Sequence, residues 1–413
     1  MSEPATVETL ETSCCIVGGG PAGAVLALIL ARQGIAVVLL EAHEDFERDF
    51  RGDTIHPSVL EILDELGLAE RLHNLRHSKI HSGTFMTPAG ALTVADFRRL
   101  NTRFPYIMML PQAHFLEFIT GEAKAHPSFQ LRMGARVQEL IEEGGAVRGV
   151  RYETDAGVHE VRALLTVGAD GRSSRIRQLA GKELLKTSPP MDVLWFRLPR
   201  HRDDPEGLLA RVGDGHLVVM LDRLDEWQIA YVILKGSFRQ VREAGLDALR
   251  QSLVSIAPEL ADRVAYLKEW KQVAMLAVES SRVERWQQPG LLLIGDAAHV
   301  MSPVGGVGIN YAIQDAVAAA NTLAAPLAAG SVEMRHLREV QRQREWPTRF
   351  IQRIQALVQG VMIRNILRSN QPVQVPPAAR LLLRTPFLRD IPARIMAFGI
   401  KRVHVKRSLR RAR

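Results

Sequence analysis

Residues 14–34 read CCIVGGGPAGAVLALILARQG, and this stretch decides the fold. It is apolar until Arg32 and Gln33, so its length and character suit a membrane span, a secretion signal, or a buried strand and helix. The cluster GGGP at 18–21 would break a spanning helix near its start. The first residues, MSEPATVETLETS, carry three glutamates and no Lys or Arg, so they do not resemble a secretion signal.

Local rules divide the stretch into a strand, a tight turn and a helix. Cys14–Val17 has the continuous apolar character of a buried parallel strand. The glycines suit a turn, Pro21 suits the first turn of a helix, and Ala22–Arg32 favours a helix. The apolar run at 35–40 is a second strand, and Glu41 follows it.

The spacing of Gly18, Gly20 and Gly23 predicts a dinucleotide site. The first glycine allows the turn, the second lets a pyrophosphate approach the backbone, and the third lets the helix pack on the strand. The phosphates would lie at the positive N-terminus of the helix. Glu41, at the end of the second strand, is placed to accept from both ribose hydroxyls of an adenosine. At this point both NAD and FAD satisfy the pattern.

Charge and cysteine content bound the class of protein. The chain has 413 residues, which suits about two domains or one large domain with an insertion, and its net charge is +8. Residues 376–413 contain eleven Lys or Arg and one acid, which is +10, so the other residues carry 8 − 10 = −2. A basic tail on a near-neutral body argues against a nucleic-acid-binding core. The only two cysteines are adjacent, so we expect no disulfide framework and a cytoplasmic location.

Two later motifs narrow the cofactor. Residues 163–177, ALLTVGADGRSSRIR, run from an apolar strand into Asp170 and Gly171. Residues 290–310, GLLLIGDAAHVMSPVGGVGIN, run from a second apolar strand into Gly295 and Asp296 and then into a glycine-rich loop. A helix predicted from about Ile309 would direct backbone N–H groups of that loop at anionic ligand atoms.

In this order and at these separations, the three motifs resemble the FAD-dependent monooxygenases of the para-hydroxybenzoate hydroxylase fold, including the hydroxylases of ubiquinone biosynthesis. The resemblance implies that the first motif and Glu41 bind the adenosine diphosphate half of FAD. It implies that Asp170 is associated with both FAD and NAD(P)H, and that Asp296 binds the ribityl chain. Two shorter segments, FRGDTIHPSVLEIL at 50–63 and PQAHFLEFI at 111–119, resemble family segments that contact FAD.

Those segments place Arg51 and Gln112 at the cofactor. Ala42 stands where many relatives carry arginine, so we expect one adenine-side contact to be missing. The cofactor-binding residues that we predict are Gly18, Gly20, Pro21, Ala22, Gly23, Glu41, Ala42, Arg51, Gln112, Asp170, Gly171, Gly295, Asp296, Pro303, Gly305, Gly306, Gly308, Ile309 and Asn310.

The fold class that we predict is α/β with an α+β insert. A discontinuous Rossmann-like FAD-binding domain would comprise 1–79, 106–182 and 276–345. An antiparallel-sheet substrate domain would comprise 80–105 and 183–275, and C-terminal helices with the basic tail would occupy 346–413. Within these parts we expect three features: a three-stranded meander between 137 and 170 as a sheet that caps one side of the FAD-binding domain, helices near 238–256 and 257–264, and a long helix over 346–368.

The resemblance implies an NAD(P)H-driven monooxygenase that hydroxylates an aromatic, quinone-precursor or polyketide-like substrate through a flavin C4a-hydroperoxide, with O₂ as co-substrate. The alternatives are an FAD-dependent reductase of a lipid or prenyl substrate and a membrane-attached flavoprotein without enzymatic activity. No metal-ligand spacing and no catalytic residue is predicted. His56 is a candidate for a residue near the flavin, and His299 is expected to be structural.

The basic tail allows two interpretations. Leu388, Ile391, Ile395 and Phe398 would form the apolar face of a basic amphipathic helix. One interpretation is peripheral contact of residues 376–413 with the anionic inner face of a membrane, and the other is a helix packed on the body. A homodimer is a further prediction.

Overall fold

The computed structural model describes residues 8–47, 53–87, 90–213, 215–362 and 390–411. The α-helices in these ranges are α1 (Pro21–Ala31), α2 (Pro57–Glu65), α3 (Ala69–His73), α4 (Gln112–Lys124), α5 (Arg175–Leu179), α6 (Phe238–Ala244), α7 (Leu246–Ile256), α8 (Gly308–Ala328), α9 (Met334–Met362) and α10 (Ile391–Phe398).

The strands are β1 (Glu8–Val17), β2 (Val37–Leu40), β3 (Thr54–Ile55), β4 (Ser78–Ile80), β5 (Ser82–Thr87), β6 (Gly90–Asp96), β7 (Ile107–Met109), β8 (Phe129–Arg132), β9 (Arg136–Glu143), β10 (Ala146–Thr154), β11 (Gly157–Gly168), β12 (Leu184–Thr187), β13 (Met191–Pro199), β14 (Leu208–Gly213), β15 (His216–Arg223), β16 (Glu226–Leu234), β17 (Ala274–Leu276), β18 (Ser280–Val283), β19 (Gln287–Gln288), β20 (Leu291–Leu293) and β21 (His299–Val300).

A mostly parallel sheet forms the centre of the first layer. Its main path runs β19-β20-β11-β1-β2-β8, and β1 lies parallel to both β2 and β11. Cys14 and Cys15 are fully buried and unpaired in β1, and α1 packs over the sheet against α4 and α8. The strand, turn and helix predicted at residues 14–34 are therefore confirmed. The carboxyl ends of β1, β11 and β20 meet at one edge, where the three sequence motifs follow them.

The predicted meander is present but is not a separate sheet. β9, β10 and β11 pair in antiparallel order, as the turn signals indicate. However, β11 also lies along the whole of β1, from the pair Glu8–His159 to the pair Val17–Gly168. β11 has twelve residues, so one of its edges pairs with β1 while the other pairs first with β10 and then with β20. The meander is thus an extension of the central sheet.

A second, seven-stranded sheet has the order β17-β13-β16-β15-β14-β5-β6. Because side chains alternate along a strand, the sheet has two different faces. One face carries Phe196, Met220 and Tyr231 and packs against α7. The other face, which we call the front face, carries Val193 and Ala230 and turns toward the first layer.

The helical region behind this sheet differs from the prediction in two places. Gly245, with φ of +94°, separates α6 from α7 where one continuous helix was expected. The helix expected at 257–264 is wrong, because that segment forms short 3₁₀ turns at Pro258–Leu260 and Val264–Tyr266. Pro258 starts the first of these turns, and a 3₁₀ turn is the usual short connector.

The C-terminal half is built on two long helices and a returning segment. The long helix was predicted to begin at Trp346, but α9 begins at Met334 and passes through Pro347. Residues 363–368 of that prediction lie outside the described ranges. Residues 390–411 pack on the first layer, with Val405 and Leu409 in its core. Within the described ranges, no helix has both the length and the apolar character needed to cross a membrane.

Candidate functional site

The first turn separates the roles of its glycines. Gly18 has φ of +106°, and a β-carbon there would lie 2.5 Å from the carbonyl oxygen of Ala169. A β-carbon on Gly23 would lie 2.0 Å from the carbonyl oxygen of Gly18. A β-carbon on Gly20 would meet nothing within 4 Å. The first and third glycines are therefore required by packing, whereas the second faces open space at the N-terminus of α1.

Glu41 lies directly beside this turn. Its carboxylate is buried and accepts hydrogen bonds from Gly19 N at 2.8 Å and from His43 N at 3.1 Å. The ring Nδ1 of the largely exposed His43 lies 2.6 Å from the same carboxylate. Ala42, between them, is exposed. The protein itself thus orients the Glu41 carboxylate against the glycine turn.

Asp170 organises its own loop. Its carboxylate accepts from Ser174 Oγ at 2.5 Å and from Ile176 N at 3.0 Å, at the beginning of α5. Burial raises the pKa of the Asp170 carboxyl, and the Ser174 hydroxyl opposes that rise. The neighbouring Gly171 has φ of +80°. The buried Arg177 in α5 donates to Ala297 O at 3.2 Å and so ties this loop to the next motif.

The third motif brings two helices together. Gly295 has φ of +58°, and a β-carbon there would lie 3.1 Å from Cβ of Ala22 in α1 and 3.3 Å from Cβ of Ala312 in α8. The partly buried Asp296 follows in a 3₁₀ turn at the carboxyl end of β20. The structure therefore brings the first and third motifs into contact.

A buried ionic network supports this turn from below. Asp315 in α8 accepts from Gly295 N at 3.1 Å, lies 2.6 Å from Nε2 of His299, and accepts from Nε of Arg344 at 2.7 Å. Asp315 is 0% exposed, and the other two side chains are 1% exposed. Burial by itself would raise the pKa of Asp315, but His299 and Arg344 outweigh it and hold that pKa below its ordinary value.

The glycine-rich loop is held to a segment far away in the sequence. Gly305 and Gly306 have φ of +80° and +62°. Asn310, the third residue of α8, donates to Gly306 O at 3.2 Å and to Thr54 O at 3.1 Å, and accepts from His56 N at 2.8 Å. The amide of Asn310 is thus used to join the loop to β3. Pro303 and Gly308 bound the loop, and the buried Ile309 begins the packed part of α8.

His56 is buried beside this loop. Its Nδ1 donates to Met396 O of α10 at 2.6 Å, which leaves Nε2 as an acceptor, and no described residue bonds to Nε2. Burial lowers the pKa of His56 to about 4, against the opposing effect of the Met396 hydrogen bond. A β-carbon on Gly306 would lie 3.6 Å from Nε2, so the neutral ring borders the loop.

The two shorter predicted segments have different outcomes. Arg51 lies outside the described residues. Gln112 begins α4, and its backbone N–H donates to Oδ1 of Asp53 at 3.1 Å. Burial raises the pKa of the Asp53 carboxyl, although Arg223 opposes it from 3.6 Å. Asp53 directly precedes Thr54, whose hydroxyl donates to Gly306 O at 3.0 Å. Because Arg223 belongs to β15, Asp53 and Thr54 together connect the glycine-rich loop to the seven-stranded sheet.

Several polar side chains lie on or beside the front face of that sheet, next to its apolar residues. Trp195 pairs with Ala230, and Arg197 pairs with Gln228, so the tryptophan and the glutamine are diagonal neighbours on this face. Gln228 is 3% exposed. Four buried atoms here have no hydrogen-bond partner among the described residues: Trp195 Nε1, Gln228 Oε1, Arg223 Nη1 and Asp53 Oδ2. Such a concentration of unsatisfied buried atoms indicates a ligand or water site.

The glycine-rich loop faces these polar side chains and is held from behind by α9. Val304 packs against the front-face cluster that contains Val193 and Ala230. On the other side, Gln355 Nε2 donates to Ser302 O at 2.9 Å and to Val304 O at 2.8 Å. A ligand at the loop would therefore lie between the first layer and the front face.

The first layer fits a dinucleotide. Space is open at Gly20, and neither α1 nor α8 carries an acid in its first turn. Both helices thus direct positive N-termini at this edge. The sequence did not indicate Asp53, Asp315, Arg223 or Arg344. Asp315 could have been found as the lone acid in the alanine-rich AIQDAVAAA at 312–320. Gln228 could have been found as the one amide in the apolar strand WQIAYVIL at 227–234.

Comparison with known proteins agrees with this geometry. A family model described as "FAD binding domain" matches residues 11–353. Among the relatives, 6-methylpretetramide 4-monooxygenase of Streptomyces rimosus is 35% identical over 402 residues, which cover 97% of this chain and 95% of that protein.

Solved structures share the fold. The anhydrotetracycline hydroxylase of Streptomyces rimosus superposes with a TM-score of 0.73 at 24% identity, covering 94% of this chain and 76% of that one. The p-nitrophenol 4-monooxygenase of Pseudomonas putida DLL-E4 superposes with a TM-score of 0.74 at 22% identity, covering 94% of this chain and 95% of that one. At these identities the two structures establish the fold alone.

Proposed function

This chain belongs to the FAD-binding domain family and is a flavin-dependent monooxygenase, and we propose that it hydroxylates a phenolic, polycyclic or polyketide-like substrate with NADH or NADPH as reductant. The relative named for 6-methylpretetramide, which matches nearly the full length of this chain, supports that substrate class. The structural observation that carries the proposal is the packing of Val304, in the glycine-rich loop, against the apolar front face of the seven-stranded sheet.

We propose one direction for FAD along the first layer. We assign the adenosine end to Glu41 and the pyrophosphate to Gly20, at the N-terminus of α1. We assign the ribityl chain to Asp296 and Gln112, and the ring system to the loop at 303–308. The chemistry that bound FAD would supply is acceptance of a hydride from NAD(P)H and transfer of oxygen from O₂. The protein would position FAD, exclude water and set the local electrostatic potential.

The substrate would lie between the loop and the front face. The apolar residues of that face suit an aromatic ring system, and the unsatisfied polar atoms suit its oxygen substituents. Trp195 Nε1 would donate a hydrogen bond to a substrate oxygen, and the Gln228 amide oxygen would accept one from a substrate hydroxyl. An unsatisfied polar group rejects ligands that fail to pair with it, so these two residues would select oxygenated rings over plain hydrocarbons.

Arg223 has a distinct part in this proposal. Asp53 holds one side of its guanidinium at 3.6 Å, and Nη1 is the atom without a described partner. A guanidinium beside a phenol stabilises the phenolate, which is the more electron-rich ring. Arg223 would therefore bind the substrate in the protonation state that favours attack on an electrophilic oxygen.

The test begins with the purified protein. Heat release of its yellow chromophore should give FAD, and O₂ uptake with NADH or NADPH should rise when a polycyclic phenol is added. Mass spectrometry should find a product that is one oxygen atom heavier. Reduction of a prenyl double bond without O₂ uptake would instead support the reductase alternative.

Location and partners are finer proposals. We propose a cytoplasmic protein, and a homodimer is tested by light scattering. Contact of residues 376–413 with lipid is also a proposal. However, the described part of this segment, residues 390–411, packs on the first layer. Arg410 donates to Glu65 at 2.9 Å, and Lys406 donates to Asn321 O at 2.7 Å. Flotation of a chain with Lys401→Glu and Arg407→Glu, at two exposed positions, tests whether this segment binds lipid.

A further inference from the structure

The outer side of α9 carries an apolar stripe in which three residues are exposed and two are partly buried. Trp346, Phe350, Ile354, Leu357 and Val361 recur at intervals of three or four residues, so they share one side of the helix. Trp346 is 59% exposed, Leu357 is 71% exposed and Val361 is 46% exposed. The rings of Trp346 and Phe350 lie 5.7 Å apart. We call these five residues the α9 stripe.

The opposite side of the same helix is fixed to the protein. Gln352 donates to Val300 O at 3.0 Å, Gln355 donates to Val304 O at 2.8 Å, and Gln359 contacts Ser302 Oγ. These three glutamines are buried. Because polar atoms anchor the inner side, the α9 stripe does not turn inward. Exposed apolar residues aligned in this way mark an interaction surface.

The charge around the stripe identifies the chemistry of the partner. Arg349 and Arg353 flank the stripe on one side of α9, and both are exposed. From Trp346 to the end of α9 at Met362, these two arginines are the charged residues, with no Asp, Glu or Lys. Arg349 pairs with Glu345 at 3.4 Å, and Glu345 directly precedes Trp346. A surface with this composition is complementary to a negative partner and would repel a second copy of itself.

We propose that the α9 stripe docks on an anionic lipid surface. Trp and Phe at one end, aliphatic residues along the middle and arginines at the flank are the arrangement of a helix that lies in a membrane interface. Trp favours the headgroup level, and each arginine near an anionic surface adds about 1 kcal/mol. The docked helix would keep its glutamines on the loop at 302–304, so no rearrangement of the site is needed.

The experiment uses the full chain and vesicles of phosphatidylcholine with or without phosphatidylglycerol. The protein should float with the anionic vesicles only, and added salt should release it. Emission of Trp346 should shift to the blue and be quenched by brominated lipid, and Trp346→Phe should remove that change. Leu357→Asp and Arg353→Glu should each weaken binding by about tenfold or more, with NAD(P)H oxidation unchanged.

Leu185→Asp is the matched control, because Leu185 is 51% exposed on β12 and is not part of the α9 stripe. It should float as the unaltered chain does. The proposal is overturned if the unaltered chain fails to float, or if Leu357→Asp floats equally well. It is also overturned if light scattering finds a dimer that Leu357→Asp converts to monomer, since the stripe would then bind a second copy.

Discussion

Arg344 and Asp315 form a fully buried ion pair, with Nε of the arginine 2.7 Å from Oδ1 of the carboxylate. The two residues come from α9 and α8, and the second oxygen of Asp315 holds Gly295 N. Breaking a buried pair leaves one charge uncompensated, which costs about 3–5 kcal/mol. Asp315→Asn should therefore lower the free energy of unfolding by about that amount and weaken FAD binding through Gly295.

A double variant separates charge from packing. In Asp315→Asn with Arg344→Met, no lone charge stays buried, so the loss in unfolding free energy should be smaller than the sum of the two single losses. Urea denaturation of the four proteins gives this coupling. Additive losses would show that the two groups do not stabilise each other.

Gly20 and Gly23 should respond differently to the same substitution. Gly23→Ala places a methyl group 2.0 Å from Gly18 O, so we expect little folded protein. Gly20 has φ of −68° and ψ of −178°, which alanine adopts without strain, and its β-position is open. Gly20→Ala should fold with an unchanged melting temperature of the FAD-free protein but bind FAD about tenfold or more weakly. Fluorescence titration measures that affinity, and unchanged binding would contradict the assignment of the pyrophosphate to Gly20.

The sequence predicted the parts of the fold that depend on local order. A strand, a glycine turn and a helix are read from neighbouring residues, and Gly18 to Gly23 lie in contact as their spacing requires. The helix boundaries were less predictable. The long helix was predicted to begin at Trp346, whereas α9 begins at Met334 and continues through Pro347.

The polar interactions of the site were not predictable in the same way. Asp53 and Arg223 meet across 170 positions, and Arg344 meets Asp315 only because two helices cross. No periodicity encodes such pairs, since each residue alone is an ordinary surface type. Asn310 was predicted to bind cofactor, yet its described hydrogen bonds go to Thr54, His56 and Gly306. Which predicted residues contact FAD stays a prediction.

His56 should make stability depend on pH. Its pKa is about 4 in the folded protein, below the ordinary value of 6.5, so the unfolded chain binds the proton more tightly. The contribution of His56 to the free energy of unfolding is fully present above pH 6.5 and is lost as the pH falls toward 4. Between about pH 7 and 5 this amounts to about 2 kcal/mol.

His56→Asn keeps a donor near Met396 O and does not titrate, so its unfolding free energy should fall less over the same range. His126→Gln, at a partly exposed histidine, is the control and should behave as the unaltered chain. Equal pH dependence of all three proteins would contradict the assignment.

Gln355 and Gln341 form a matched pair on α9. Gln355 donates to Ser302 O and Val304 O at the glycine-rich loop, whereas Gln341 donates to Glu284 O and accepts from Trp286 N. Methionine at either position leaves buried backbone groups without partners, which costs about 1–3 kcal/mol. Both variants should lose similar stability, but only Gln355→Met should release more H₂O₂ per NAD(P)H, because only it loosens the loop.

Arg223 gives the sharpest test of the substrate site, because its effect should depend on the substrate. Hydrogen bonds to a charged group contribute about 1.5–3 kcal/mol, so Arg223→Met should lower kcat/KM for a phenol by about ten- to hundredfold. If the guanidinium favours the phenolate, the variant should recover activity as pH rises toward the pKa of the free phenol, and a more acidic phenol should lose less. Arg211→Met is the control, because Arg211 lies on β14 and pairs with Glu259 at 2.5 Å on the opposite face of the sheet. A loss that is the same at every pH and for every phenol would mean that Arg223 acts only through Asp53 and the packing of the front face.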